Sequence, residues 1–171
     1  MADVTARPAA QPGAWKDPYT NFRFKVSISD NVSEAAFVEV TGLEVFVERV
    51  EYRPHGGGPE TVYVPGRTTY SPVTLRYGLT DSSAMWEWML SAMEGRVQRH
   101  NVSIAVLNAD GRTQALRWNL AQAWPMAWSG APLHTLGREI AIESLTLAHQ
   151  GLTRERAGAD PTGSPAGATG V

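Results

Sequence analysis

The sequence has no cysteine, which removes disulfides, thiolate nucleophiles and cysteine-held zinc or iron–sulfur centres together. It has little net charge: −2 formally, with a pI near 6.1. No basic field is therefore available to hold a nucleic-acid backbone by counterion release, and no sequence-specific nucleic-acid contact is expected. Lysine is nearly missing, with Lys16 and Lys25 against thirteen arginines, a bias that carries no functional meaning by itself. Long apolar runs are absent too. The opening Met1 to Pro8 lacks a continuous apolar stretch, and nothing later approaches the ~18 apolar residues of a membrane span, so no direct membrane anchor is expected.

What is present is enough sequence for one domain: 171 residues, 43% apolar and 19% charged. A chain of this size removes about two-thirds of its unfolded surface from water, so one real hydrophobic core is expected. Residues 1–16 and 153–171 are rich in small residues and proline without periodicity and read as a flexible N-terminal tail and a disordered C-terminal tail around a domain at 17–152.

Within that domain, Phe22 to Ser29 alternates apolar and polar residues as a strand with one dry face. Phe37 to Val40 and Leu43 to Tyr52 follow, separated at Gly42 by a bulge or sharp bend. The breaker cluster Pro54 to Pro59 and the return of strand character at Glu60 to Val64 predict a long hairpin. Val73 to Tyr77 is another strand. One helix is predicted over Ser83–Glu94, capped by Thr80, Asp81 or Ser82, with Met85, Trp88, Met89, Ala92 and Met93 on one face and Gly95 as its stop. Strands at Val102–Leu107 and Gln114–Ala123 are joined through Asp110-Gly111, Trp124-Pro125 breaks the pattern, and Gly137–Ala148 is a last strand with a bulge near Glu143-Ser144. About seven or eight strands with one helix predict a mainly β protein, an antiparallel barrel or sandwich capped by that helix.

Catalytic constellations are weak. His55-Gly56-Gly57-Gly58 has the look of an oxyanion loop, but there is no G-x-S-x-G nucleophile, and a glycine-rich hairpin tip explains it. His100, His134 and His149 sit singly, without the spacing that puts two imidazoles on one metal. Asp81-Ser82-Ser83 is explained as a capping segment, and Glu48 and Glu51 fall on opposite faces of one strand. No enzyme activity and no cofactor are expected. Trp118, Trp124 and Trp128 could form a sugar-stacking platform, although core and interface anchoring is the commoner use of tryptophan. In Trp86-Glu87-Trp88 the two indoles stand about 100° apart on a helix, so Trp86 is expected to face a partner.

Eight blocks in order carry a family resemblance: Asp17-Pro18-Tyr19-Thr20-Asn21-Phe22-Arg23-Phe24, Glu39 to Glu44, Val50 to Arg53, Pro65-Gly66 with Tyr70, Leu75 to Asp81, Trp86-Glu87-Trp88, Trp118 to Trp128, and Ile142 to Leu152. Together they resemble the phage tail tube protein family of contractile tails and extracellular injection systems, similar in plan to the haemolysin-coregulated protein of type VI secretion. Tyr77 departs from the pattern, standing where a basic residue is expected. The resemblance implies a structural subunit of an inner tube, with six copies per ring and rings stacked around a lumen for cargo. Its implied partners are further copies of itself, a contractile sheath protein, baseplate or hub proteins and tube-terminating proteins. It also implies cytoplasmic synthesis and assembly, then residence in a phage-like or released extracellular particle. A tube initiator near the baseplate would share the fold. The expected contact residues are Trp86 and the hairpin tip Pro54, His55, Gly56, Gly57, Gly58, Pro59 and Glu60, the tip through an extended loop that in the family bridges to the adjacent ring. A carbohydrate-binding β-sandwich and a small hydrolase are the rivals from other classes.

Overall fold

Alternation fixes the first strand: Val26 and Ile28 are buried and Lys25 and Ser27 exposed along β1 (Phe24–Ile28). The computed structural model describes residues 19, 22–28, 37–52 and 61–156. Among these, β2 (Phe37–Thr41), β3 (Val45–Tyr52), β4 (Val62–Tyr70) and β5 (Val73–Gly78) precede the single helix α1 (Ala84–Met93). After it come β6 (His100–Leu107), β7 (Gln114–Ser129), β8 (Ile142–Ala148) and β9 (Gly151–Arg156).

The fold class is as the sequence implies, antiparallel and mainly β with one helix. Seven strands form one sheet in the order β1-β6-β7-β8-β5-β2, with β9 added against β7, and among the described residues β3 and β4 pair only with each other. The large sheet is not closed into a barrel, because β1 and β2 each pair on one side alone among the described residues.

β7 is the corner of the molecule. Its first half lies between β6 and β9, and its second half pairs with β8. The turn is made at Gln122, at φ 53, whose N–H donates to Asn101 Oδ1 at 3.1 Å. There the buried positions step from Leu116 and Leu120 to Ala123 and Pro125, so one extra residue re-aims the strand from one sheet layer to the next. The sequence reading stops this strand before Trp124-Pro125. In fact the strand runs through, because an irregularity between Pro125 and Ala127 accommodates the missing N–H.

Three further boundaries differ. β8 begins at Ile142, and residues 137–141 belong to a loop in which Ile140 is exposed, so the change of phase read as a bulge at Glu143-Ser144 is the end of the loop; the β5–β8 register is unbroken there. β4 continues through Pro65-Gly66 to Tyr70. β9 takes in Thr153 to Arg156, four residues the sequence reading assigns to the C-terminal tail; it is a charged, exposed strand with no apolar alternation to betray it.

The helix also corrects its predicted face. Met85, Trp88 and Ser91 are buried and Met89 partly so, while Met93 is largely exposed. The N-cap is Ser83, whose hydroxyl donates to Glu87 at 2.6 Å in place of a backbone cap. At the other end Gly95 (φ 78) and Arg96 donate to Ala92 and Ser91, a Schellman ending that only glycine enters without strain. Trp88 Nε1 donates to the Gln98 carbonyl at 2.9 Å and so fixes the chain that leaves the helix.

The core gathers Val73, Leu75, Leu120, Leu145 and Leu147, all fully buried, with Met85 and Trp88 from the helix. Each such side chain contributes about 1.5–3 kcal/mol. Gly42, at φ 85, links β2 to β3 where a Cβ would lie 2.1 Å from the Pro72 carbonyl oxygen, so the predicted bend also requires a glycine. The turn between β6 and β7 is held by Asp110, which accepts from the N–H groups of Arg112 and Thr113 and from the Thr113 hydroxyl. The Thr113 hydroxyl bond first, then the two backbone bonds, hold its carboxyl below the ordinary 3.8. A carboxyl depressed in the fold stabilises the turn fully above its unfolded value and loses that effect as pH falls through the folded one. The expected check is an NMR titration in which Asp110 has a midpoint below 3.8 and the Thr113 amide shifts with it.

Candidate assembly surfaces

The β3–β4 hairpin is the largest feature that the core does not explain. Every residue of both strands is exposed, although Val, Phe and Tyr make up more than half of them. β3 alternates without interruption, the extra residue of the bulge lying in β4 between Pro65 and Thr68, so Val45–Tyr70, Val47–Thr68, Arg49–Pro65 and Glu51–Tyr63 share one face, with the Arg49 guanidinium 4.3 Å from the Tyr63 ring centroid. The opposite face carries Phe46–Thr69, Val50–Val64 and Tyr52–Val62, with Glu48 between them. At the root, Tyr70 packs on His149 with ring centroids 5.4 Å apart, and Ser71 Oγ donates to Glu44. Beyond that root the side chains of both faces are exposed, the apolar ones among them. Gly66 keeps the two strands close, since a Cβ there would lie 2.7 Å from Val50 Cγ2.

The expected contact residues Pro54, His55, Gly56, Gly57, Gly58, Pro59 and Glu60 lie outside the described residues. Trp86 is on the exposed side of α1, 42% accessible, and packs edge-on against Trp128 with centroids 4.9 Å apart. One side of its ring is thus already occupied. The two indoles, with Asp81, Ser83 and Glu143, line a shallow cavity of about 310 Å³. Behind it Tyr77 is buried opposite Glu143 across the β5–β8 pair. Burial, reinforced by the Glu143 charge, pushes the Tyr77 hydroxyl up to about 12. The fold therefore prefers the neutral phenol, and its contribution, full below the unfolded value near 10, is lost as pH rises toward 12. Alkaline unfolding with a tyrosine that ionises only near pH 12 is the expected result, and Tyr77→Phe should remove that late step.

Among the described residues neither rival from another class finds its geometry; His55 to Gly58 lie outside them. Trp118 and Trp124 are partly buried, Trp118 beneath Arg154, and Trp128 turns toward Trp86, so the three do not form an open platform. His100 packs on Trp88, and His149 is bracketed by the Gly151 and Ser71 carbonyls at 3.0 and 3.1 Å. Among the described residues there is no cluster of metal-ligating side chains, and no helix is long and apolar enough to cross a membrane.

A second cavity, about 350 Å³, lies between β1 and β2 and is walled by Phe24, Val40, Leu43, Ile104 and Val106 of β6, and Trp118 of β7. Sequence reasoning does not find it, because its walls come from strands distant in sequence.

An open sheet, with β1 and β2 each paired on one side among the described residues, and an exposed projecting hairpin define a class: a mainly β protein with strand edges of the kind that further chains cover. The chain belongs to the tail tube family, since residues 20–153 match the model of the T4-like virus tail tube protein gp19. A search of curated protein sequences gives no match. Among solved structures it is similar to the tube-terminating cap of the anti-feeding prophage, at 25% identity and TM-score 0.78 over 89% of this chain and 100% of that one. It is also similar to a chain of the sheath–tube complex of an extracellular contractile injection system, at 24% identity and TM-score 0.73 over 81% and 92%. The fold extends to Hcp1 from Flavobacterium johnsoniae, at 13% identity and TM-score 0.52 over 78% and 94%.

Proposed function

We propose that this chain is an inner-tube subunit of a contractile injection system, assembling into six-membered rings that stack around a lumen and serving a structural role without catalysis. The observation that carries this reading is the β3–β4 hairpin, a two-stranded sheet exposed on both faces, with Val, Phe and Tyr side chains on each, whose strands pair only with each other among the described residues. Those apolar side chains add little to a monomer, whereas a stacked array buries them many times over. A tube terminator is the second reading, favoured by the likeness to the prophage cap over the whole of that chain. The likeness to a chain from a sheath–tube complex supports a sheath protein as the outer partner. Likeness to a chain from the prophage baseplate supports contact with baseplate proteins at one end of the tube. Cytoplasmic synthesis followed by residence in a phage-like or extracellular particle is part of the same proposal, as is passage of cargo through the lumen.

Electron microscopy of the purified protein separates the readings: filaments of stacked rings support the tube subunit, single rings at every concentration support the terminator, and monomers at high concentration remove both. Trp86→Ala should weaken ring formation more than folding. The lost edge-on contact with Trp128 costs about 0.5–1.5 kcal/mol in the monomer, and a truncated interface anchor costs 2 kcal/mol or more. Equal losses in thermal melting and ring yield would make Trp86 a residue of the fold alone.

A further inference from the structure

The most exposed large apolar residues of the described chain are not on the hairpin. They are Leu133, Leu136 and Ile140, at 86%, 87% and 81% accessibility, in the loop between β7 and β8. The loop is not a loose excursion. Leu136 N–H donates to His134 Nδ1 at 3.3 Å, Gly137 N–H to the His134 carbonyl at 3.0 Å, and Leu79 N–H clamps the root at the Ala141 carbonyl at 2.9 Å. A turn fastened this way holds its leucines in water at a constant cost, and a lone subunit receives nothing in return.

The slit between β1 and β2 has the opposite character. Its walls are mainly apolar, with Glu39 and Thr41 among them, its volume of about 350 Å³ has room for two aliphatic side chains, and β1 and β2, which both contribute to it, each pair on one side only among the described residues. Glu39 at its lip holds Arg76 at 2.5 Å, and Arg138, two residues beyond Leu136, has no ion pair among the described residues. A carboxylate accepts from more than one guanidinium, so the charges of loop and lip are complementary.

We propose that the 130–141 loop of one copy inserts Leu133 and Leu136 into the β1–β2 slit of a second copy, with Arg138 reaching the Glu39 carboxylate. A second copy is required because loop and slit are separated along β7: the loop leaves after Ser129, whereas Trp118 walls the slit on the other side of the bend at Gln122. Two different surfaces in contact make the interface heterologous. Passed on in one direction it generates a ring or a stack, whereas mutual exchange would stop at a dimer. The inference rests on the self-assembly reading above and names one of its interfaces.

The cysteine-free chain allows a direct test. Single variants Val38→Cys, Thr41→Cys, Leu133→Cys and Leu136→Cys are made, slit and loop variants are mixed pairwise under assembling conditions, and the mixtures are oxidised. A disulfide forms only where Cα atoms come within about 4.4–6.8 Å. The expected result is a covalent dimer on a denaturing gel in at least one of the four mixtures and in none of the single variants, and a ladder beyond the dimer when both cysteines of that pair are placed in one chain. Separately, Leu133→Asp with Leu136→Asp should lower the sedimenting fraction at least tenfold with unchanged thermal unfolding. Sedimenting assemblies that give no dimer in any mixture would overturn the loop–slit contact and leave the tube reading standing. A parent protein that stays monomeric at every concentration would overturn both.

Discussion

Leu145→Ala is expected to lower unfolding free energy by about 2–5 kcal/mol, measured by urea denaturation of the dispersed subunit. Leu145 is fully buried, pairs with Leu75 across β5–β8 and with Trp128 across β7–β8, and so joins three strands at the centre of the sheet. Removing its branched end leaves a space that neither neighbour fills without breaking a ladder. Against a total stability on the order of 5–15 kcal/mol, the loss is a large share of the margin, and at the low end of that range it leaves the subunit folded only in part. A change under 1 kcal/mol would mean that the strands re-pack around the site, and that the sheet is held by its hydrogen-bond ladders more than by its core.

The part of the fold legible in the sequence is the part whose pattern answers to one buried face. Val26 and Ile28, Val73 and Leu75, and Leu145 and Leu147 alternate because one side of each strand is dry, and period two reports that directly. Gly42 and Gly111 were readable because positive φ is a backbone demand that glycine meets locally. What stayed hidden depends on contacts distant in sequence. β9 is polar and exposed and exists because Leu116 to Ala121 of β7 offer an unpaired edge. Trp124-Pro125 reads as a break by local rules and is overridden by pairing with Leu147 and Ala148. Met93 fell off the buried face because that face of α1 runs through Met85, Trp88 and Ser91, and Met93 stands about 200° around the helix from Ser91.

The assembly surfaces were legible in the same uneven way. Trp86 was singled out because helical spacing separates it from Trp88, and it is indeed on the exposed side; its stacking on Trp128, forty-two positions away, has no local signature. Leu133 and Leu136 left no signal either, since an exposed leucine and a buried one have the same letter. The one hint was Ile140, out of phase with Leu145 and Leu147, which marks a residue outside the strand.

The second large effect concerns assembly without folding. The strands β3 and β4 bury no side chain in the body of the subunit, and their last pair is Tyr52–Val62. Residues 54–60 between them include three successive glycines, which cost backbone entropy on ordering and supply no side chain to pack. That composition has no use in the subunit's own stability. It is useful if the segment is ordered only against a neighbouring ring, where each contact is weak and the contacts around the ring act together. Replacing Pro54–Glu60 by Asn-Gly sets a two-residue turn directly beyond the Arg53–Thr61 positions, a length that the register of β3 and β4 accepts. The expected variant is soluble, melts within a few degrees of the parent and still forms rings, but no long tubes are seen by electron microscopy. Tubes of parental length would remove the tip from the stacking contact, and an insoluble product would place the hairpin among the elements that fold the subunit.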